Sequence, residues 1–211
     1  MSMQRFRIEY AKTDALRYTG NLDMQKVWER YLRRASLQMA YSQGFHPQAK
    51  IQQACPLPLG FLSQSEIVDI WLDDDQIDAH GLLRALLTTP QPGIDIRSAE
   101  AVGLNAPALQ STVASAVYLV ELLDTAGIDR LPEQIQRVLA ASSLPRTRRN
   151  KTYDLRPLIE ALELKVNGEV GGLVMRLAAR DGATGRPEEV LIELGLDPSR
   201  ARITRTALIF K

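Results

Sequence analysis

Ile67-Val-Asp-Ile-Trp-Leu72, closed by Asp73-Asp-Asp75, reads as a strand that ends in a run of helix-capping residues. Everything on either side is placed by it. Downstream, a helix is expected over 76–88, with Ile77, Leu82, Leu83, Leu86 and Leu87 apolar, until Pro90 and Pro92 stop it. Ile94 to Val102 then alternates as a strand. Upstream, Phe6, Ile8 and Tyr10 alternate with Arg5, Arg7 and Glu9, which predicts a half-buried first strand. Thr13-Asp14 turns the chain, and Leu16-Arg-Tyr18 is expected to continue or re-pair that strand. Asn21 is a fair N-cap, with Asp23 favourable in the first turn of a helix. Met24, Val27, Trp28, Tyr31, Leu32 and Ala35 supply its buried stripe. Residues 38–43 read as a strand, and 51–59 as an edge strand interrupted by Pro56 and Pro58. The order strand, helix, strand, strand, helix, strand is that of the split βαβ of a ferredoxin-like α+β sandwich.

Leu104-Asn-Ala-Pro-Ala-Leu-Gln-Ser111 reads as a linker, which divides the chain into domains at 1–104 and 112–211. The second half repeats the succession. Ala116 to Leu123 is a strand, and Gly127 and Pro132 bracket a helix carrying Ile135, Val138 and Leu139. Residues 146–153 are basic and polar and could pair at an edge, with Asp154 capping the turn Asp154-Leu-Arg-Pro157. Leu162–Val166 and Leu173–Ala178 flank Asn167-Gly168, a hairpin signal, with Glu169 to Gly172 lengthening the loop. A helix from Pro187 to Leu194 ends at Gly195, and Ile203 to Phe210 is a last strand. The expectation is two tandem ferredoxin-like domains, the second with an added hairpin. It rests on the succession of elements, since no residue-level repeat is visible.

The 211 residues carry a net charge of +1, so the chain as a whole is no polycation. Charge is segregated instead: residues 1–50 and the run Arg146-Thr-Arg-Arg-Asn-Lys151 are basic, while 66–100 are acidic. Cys55 stands alone and reads as a small buried hydrophobe, which fits a reducing cytoplasm. No apolar run approaches a membrane span, and no signal-peptide core opens the chain. With one cysteine and two separated histidines, iron–sulfur and tetrahedral zinc spacings are absent. There is no phosphate-binding P-loop, dinucleotide fingerprint or nucleophile elbow. Asp73, Asp74 and Asp75 read as caps and solvated groups rather than metal ligands.

One loop stands out by composition: Tyr41-Ser-Gln-Gly-Phe-His-Pro-Gln-Ala-Lys50, leading through Ile51 to Pro56-Leu-Pro-Leu-Gly60. Pro47 biases His46 to an extended backbone that presents its ring, and Lys50 follows. The pair could bind phosphate or serve acid–base chemistry, although a loop histidine more often packs or hydrogen-bonds locally. No catalytic residue is assigned beyond those two weak candidates. Lys26, Arg30, Arg33 and Arg34 share one face of the preceding helix. With Arg17, Tyr41, Phe45 and Lys50 they form a candidate nucleic-acid surface, in which aromatic rings, Tyr18 among them, would stack on bases.

The runs Arg17-Tyr-Thr-Gly-Asn-Leu-Asp-Met24, Trp28-Glu-Arg-Tyr-Leu-Arg-Arg-Ala35 and Ala40-Tyr-Ser-Gln-Gly-Phe-His-Pro47 resemble the radical-SAM-linked domain of unknown function. Pro58-Leu-Gly60, Lys151-Thr-Tyr-Asp-Leu-Arg-Pro157, Arg186-Pro-Glu-Glu-Val190 and Arg202 to Leu208 extend the resemblance along the chain. Members of that family occur fused to, or encoded beside, B12-binding-type radical SAM proteins. The resemblance therefore implies a radical SAM partner for this chain and no cofactor within it. Where the family usually has histidine before Leu-Asp, this chain has Asn21, and where it has Pro-His-Pro, this chain has Pro47-Gln-Ala49. The expected role is a non-catalytic accessory module that presents RNA, tRNA or rRNA, to a separate enzyme. Two alternatives stand beside it: a metal-independent endoribonuclease using His46 and Lys50, and a protein-only adaptor docking through an acidic face around Asp69–Asp78.

Overall fold

The structure, a computed structural model, describes residues 2–124, 128–148, 150–167 and 170–211. Gly127, Arg149, Gly168 and Glu169, which figure in the expectations above, lie outside the described residues. The chain is α+β and divides into two compact units, residues 1–112 and 113–211.

In the first unit, β1 (Gln4–Lys12), α1 (Asn21–Arg34), β2 (Ile51–Gln53), β3 (Leu62–Leu72), α2 (Ala79–Thr88) and β4 (Ile94–Val102) follow in order, and α3 (Leu109–Thr112) closes it. The sheet runs β4-β1-β3-β2, each pair antiparallel. Strand alternation sends Phe6, Ile8, Tyr10, Val68, Ile70 and Leu72 to one face, where both helices deliver Met24, Trp28, Tyr31, Leu32, Leu82 and Leu86. Trp28 meets Tyr10 edge-on at 4.9 Å between ring centres.

The opposite face carries charge. Asp69 has no exposed surface, and it accepts from Arg5 Nη2 at 2.6 Å and Arg7 Nε at 2.9 Å. Arg5 also donates to the carbonyls of Ala106 and Pro107, at 2.8 and 2.9 Å, with its guanidinium 4.9 Å above the Trp71 ring centre. Segment 104–111, expected as a linker, thus lies against this face, and Gln52 Oε1 accepts from the Leu109 amide at 3.1 Å.

Several local expectations are corrected. Asn21 is the first helical residue of α1, with Gly20 at the N-cap and no side-chain cap. Asp14–Leu16 forms a 3-10 turn rather than more strand, because the Leu16 amide bonds back to Thr13 and ends the extended run. Residues 38–43 make only single bridges, Met39 to Leu72 and Tyr41 to Ala49. Of the stretch 51–59, three residues pair before the prolines remove the ladder's donors. The cap of α2 is Asp78, whose carboxylate accepts from the Gly81 amide at 2.7 Å, so the helix starts later than Asp73–Asp75 would place it.

In the second unit, β5 (Val113–Leu122), α4 (Leu131–Ala140), the hairpin β6 (Pro145–Arg148) with β7 (Lys151–Asp154), β8 (Ile159–Asn167), β9 (Val170–Arg180), β10 (Ala183–Thr184), α5 (Pro187–Glu193) and β11 (Ala201–Phe210) follow. The sheet runs β8-β9-β5-β11, all antiparallel, with β10 added to β9. The basic segment expected at an edge pairs with itself, β6 on β7, as a separate two-stranded ribbon. β8 and β9 pair as far as Asn167 and Val170.

Candidate nucleic-acid interface

The cationic face of α1 follows from its spacing, since residues 26, 30, 33 and 34 fall at i, i+4, i+7 and i+8. All four side chains are exposed. Lys26 Nζ stands 3.8 Å from Asp23, and Arg33 Nη2 is 2.7 Å from Glu29. Arg34 donates to Gln91 Oε1 at 2.6 Å, with its guanidinium 5.9 Å from the Tyr31 ring centre. Exposed pairs of this kind contribute about 0–1 kcal/mol each, so a phosphate can displace them.

The loop after α1 is fastened at its base. Ala40 N donates to Trp71 O at 2.8 Å, Lys50 N to Ala40 O at 2.8 Å, and Trp71 N to Lys50 O at 3.1 Å. Ser42 and Gln48 then close the neck: Ser42 N reaches Gln48 O at 2.8 Å and Gln48 N reaches Ser42 Oγ at 3.0 Å. The tip between them turns at Gly44, whose φ of 130° is one that a side chain disfavours. Phe45 at this tip has a relative exposure of 101%. An aromatic ring displayed on a pinned neck contributes nothing to the core.

Of the sequence-derived candidates, the structure brings Arg33 and Tyr41 together. A hydrogen bond with the Tyr41 side chain raises the Arg33 pKa, and Glu29 adds to it. His46 is exposed at the tip, while Lys50 is half-buried at the base with Nζ 3.5 Å from Met3 Sδ. The described hydrogen bonds do not join His46 to Lys50. Arg17 has a different place. Its Nε donates to Gly60 O at 3.0 Å and its carbonyl accepts from Gly60 N at 3.0 Å, which ties the Pro58–Gly60 turn to the start of α1. Its guanidinium lies 5.5 Å from the exposed Tyr18 ring. Exposed Leu22 and Leu59, on the segments tied there, were not singled out in the sequence; a leucine off the apolar stripe of α1 was the available signal. The acidic face around Asp69–Asp78 loses Asp69, which is buried between two arginines. Asp74 and Asp78 accept local amides, from Gln76 and Gly81. Among the described residues no group of histidine, cysteine or acidic side chains could hold a metal ion. No described helix is long and apolar enough to cross a membrane.

Residues 5–187 match a family described as an uncharacterized protein conserved in bacteria (DUF2344). The chain belongs to that family. The matched span contains the Arg17–Asn21, Gly44–Pro47, Pro58–Gly60 and Lys151–Pro157 motifs. No curated protein matches the chain. Among solved structures, it is similar to the acetolactate synthase small subunit from Thermotoga maritima, at 11% identity and a TM-score of 0.29, covering 100% of this chain and 97% of that one. An unknown protein from Galdieria sulphuraria gives 16% identity and a TM-score of 0.29, covering 100% of this chain and 99% of that one. Superposition at that level carries no argument about function.

Proposed function

We propose that this member of the family is a non-catalytic accessory module of two tandem ferredoxin-like units that presents RNA to a separate radical SAM enzyme. The duplication is supported by strand order: β5, β8, β9 and β11 take the places of β1, β2, β3 and β4, with the β6–β7 hairpin inserted. The radical SAM partner rests on the motif resemblance. RNA is the reading that best accounts for one observation, the fully exposed Phe45 on a fastened loop that follows a row of exposed cations on α1. Unpaired bases stack on such rings while arginine and lysine hold the backbone.

Fluorescence anisotropy with labelled tRNA tests this. Binding without cleavage is expected, and Phe45→Ala should weaken it roughly 5- to 150-fold, the worth of about 1–3 kcal/mol of stacking. Because Phe45 packs against nothing, its circular dichroism and melting temperature should not change. Absence of binding, or indifference to Phe45→Ala, rejects the RNA reading. Co-purification from the native cell, read for a radical SAM protein, tests the partner separately.

A further inference from the structure

The second unit contains a cleft of about 700 Å³ that the sequence reading did not anticipate. Its walls come from two motifs distant in the chain. Arg148, Lys151 and Tyr153 come from the β6–β7 hairpin, Pro157 and Leu158 from the turn after it, and Arg186 from the residue before α5. Much of the Lys151-Thr-Tyr-Asp-Leu-Arg-Pro157 motif is structural. Asp154 Oδ1 accepts from the amides of Leu144 at 2.7 Å and Arg156 at 2.9 Å. The Arg156 guanidinium clamps Leu139 O at 2.8 Å and Ile159 O at 3.0 Å. Arg146 fastens the hairpin to α5 through Glu193, with Glu189 Oε2 3.5 Å from its Nε.

What those anchors leave over faces the cleft. Lys151 is exposed and Arg186 is half-buried, and no hydrogen bond or ion pair engages either side chain among the described residues. Arg148 Nη1 and the Tyr153 hydroxyl are buried atoms with no hydrogen-bond partner there. Buried donors are rarely left so, and two at one cleft call for an acceptor. Burial first, then Glu189, pushes the Tyr153 hydroxyl up, which keeps it a donor. The acidic groups nearby do not fill the role. Asp154 is taken by amides, and Glu188 Oε2, itself buried, makes no hydrogen bond to either donor among the described residues.

We infer that this cleft binds a phosphomonoester of about nucleotide size. Arg148, Lys151 and Arg186 take the phosphate, and Tyr153, Pro157, Leu158 and Ala183 take the body of the molecule. A guanidinium supplies forked donors matched to phosphate oxygens, and two arginines with a lysine and a phenol line the cleft against a single lining carboxylate, the satisfied Asp154, with Glu188 and Glu189 outside the lining. The volume and mixed lining suit a small ligand, since such sites span roughly 300–1,000 Å³ with a few placed polar groups on an apolar wall. This site uses none of the residues proposed for RNA.

Isothermal titration calorimetry of the full chain with inorganic phosphate, AMP and adenosine tests it. Phosphate should bind weakly, AMP at least tenfold tighter, and adenosine at least tenfold weaker than AMP. Lys151→Gln and Arg186→Gln should each weaken AMP at least tenfold with unchanged circular dichroism, and Phe45→Ala should leave it unchanged. The inference is overturned if neither phosphate nor AMP binds at about 10 mM, roughly ten thousand times a micromolar Kd. It is also overturned if adenosine matches AMP, or if AMP binding survives both substitutions. A short oligoribonucleotide that binds the cleft through Lys151 and Arg186 where AMP does not would assign it to RNA instead.

Discussion

Tyr31 places a hydroxyl inside the first unit's core and donates it to the Leu86 carbonyl at 2.9 Å. Burial pushes its pKa up to about 12, with Arg34 opposing. The neutral phenol is therefore the form the fold requires. Its contribution is fully present below the ordinary value of 10.0 and is lost as pH rises through about 12. Tyr31→Phe should cost about 1 kcal/mol at neutral pH, for the lost bond and the carbonyl left behind. It should also flatten the fall in melting temperature between those two pH values, measured by circular dichroism. Asp69 is the other residue whose removal should be felt. Asp69→Ala leaves Arg5 buried and Arg7 half-buried without their carboxylate, at a cost of about 3–5 kcal/mol in urea denaturation. Replacing Arg7 alone should cost less, because its side chain is partly solvated and Arg5 still neutralises Asp69.

At the scale of elements, periodicity made the strands and helices legible. Phe6, Ile8 and Tyr10 announced β1, and Met24, Trp28, Tyr31 and Leu32 announced α1, because burial on one face imposes the period directly. The termini were less legible. Four aspartates compete to start α2, and which of them caps depends on where Gly81 falls, a fact of backbone path rather than residue type. The loop 42–48 was legible as unusual, but its neck was not, since three of the four atoms in the two Ser42–Gln48 bonds are main-chain atoms that any residue supplies, and only the Ser42 hydroxyl is specific. The cleft was invisible because Lys151 and Arg186 become neighbours only when the hairpin, held by Arg146, folds onto α5. Asp154 anchors that hairpin; the sequence reads it as the N-cap of the following turn, whereas Leu155 holds that position and Asp154 stands one residue before it. Amides of Leu144 and Arg156 hold its carboxyl below the ordinary value of 3.8. Its contribution is present above that value and disappears as pH falls through the lower folded value. Asp154→Ala should lower the melting temperature at pH 7, and the gap from the unmodified chain should close on acidification below 3.8.

At the scale of the molecule, a net charge of +1 provides little long-range attraction for RNA, so the proposed function requires that electrostatic affinity come from the local row on α1. That makes the salt dependence countable. Each phosphate contact releases condensed counterions and contributes about 0.7 to the slope of log affinity against log salt on a single strand. Lys26, Arg30, Arg33 and Arg34 together should give a slope of about −3. Arg30 has no ion-pair partner among the described residues, so Arg30→Gln should reduce the slope by about 0.7 and weaken all sequences alike. Arg33 is already paired with Glu29, so Glu29→Gln should strengthen binding at low salt by releasing a competing carboxylate. Phe45→Ala should lower affinity at every salt concentration without altering the slope, because stacking releases no ions. Anisotropy titrations at four salt concentrations separate the two contributions. A slope near zero in the unmodified chain would show that any RNA contact lies elsewhere than on α1.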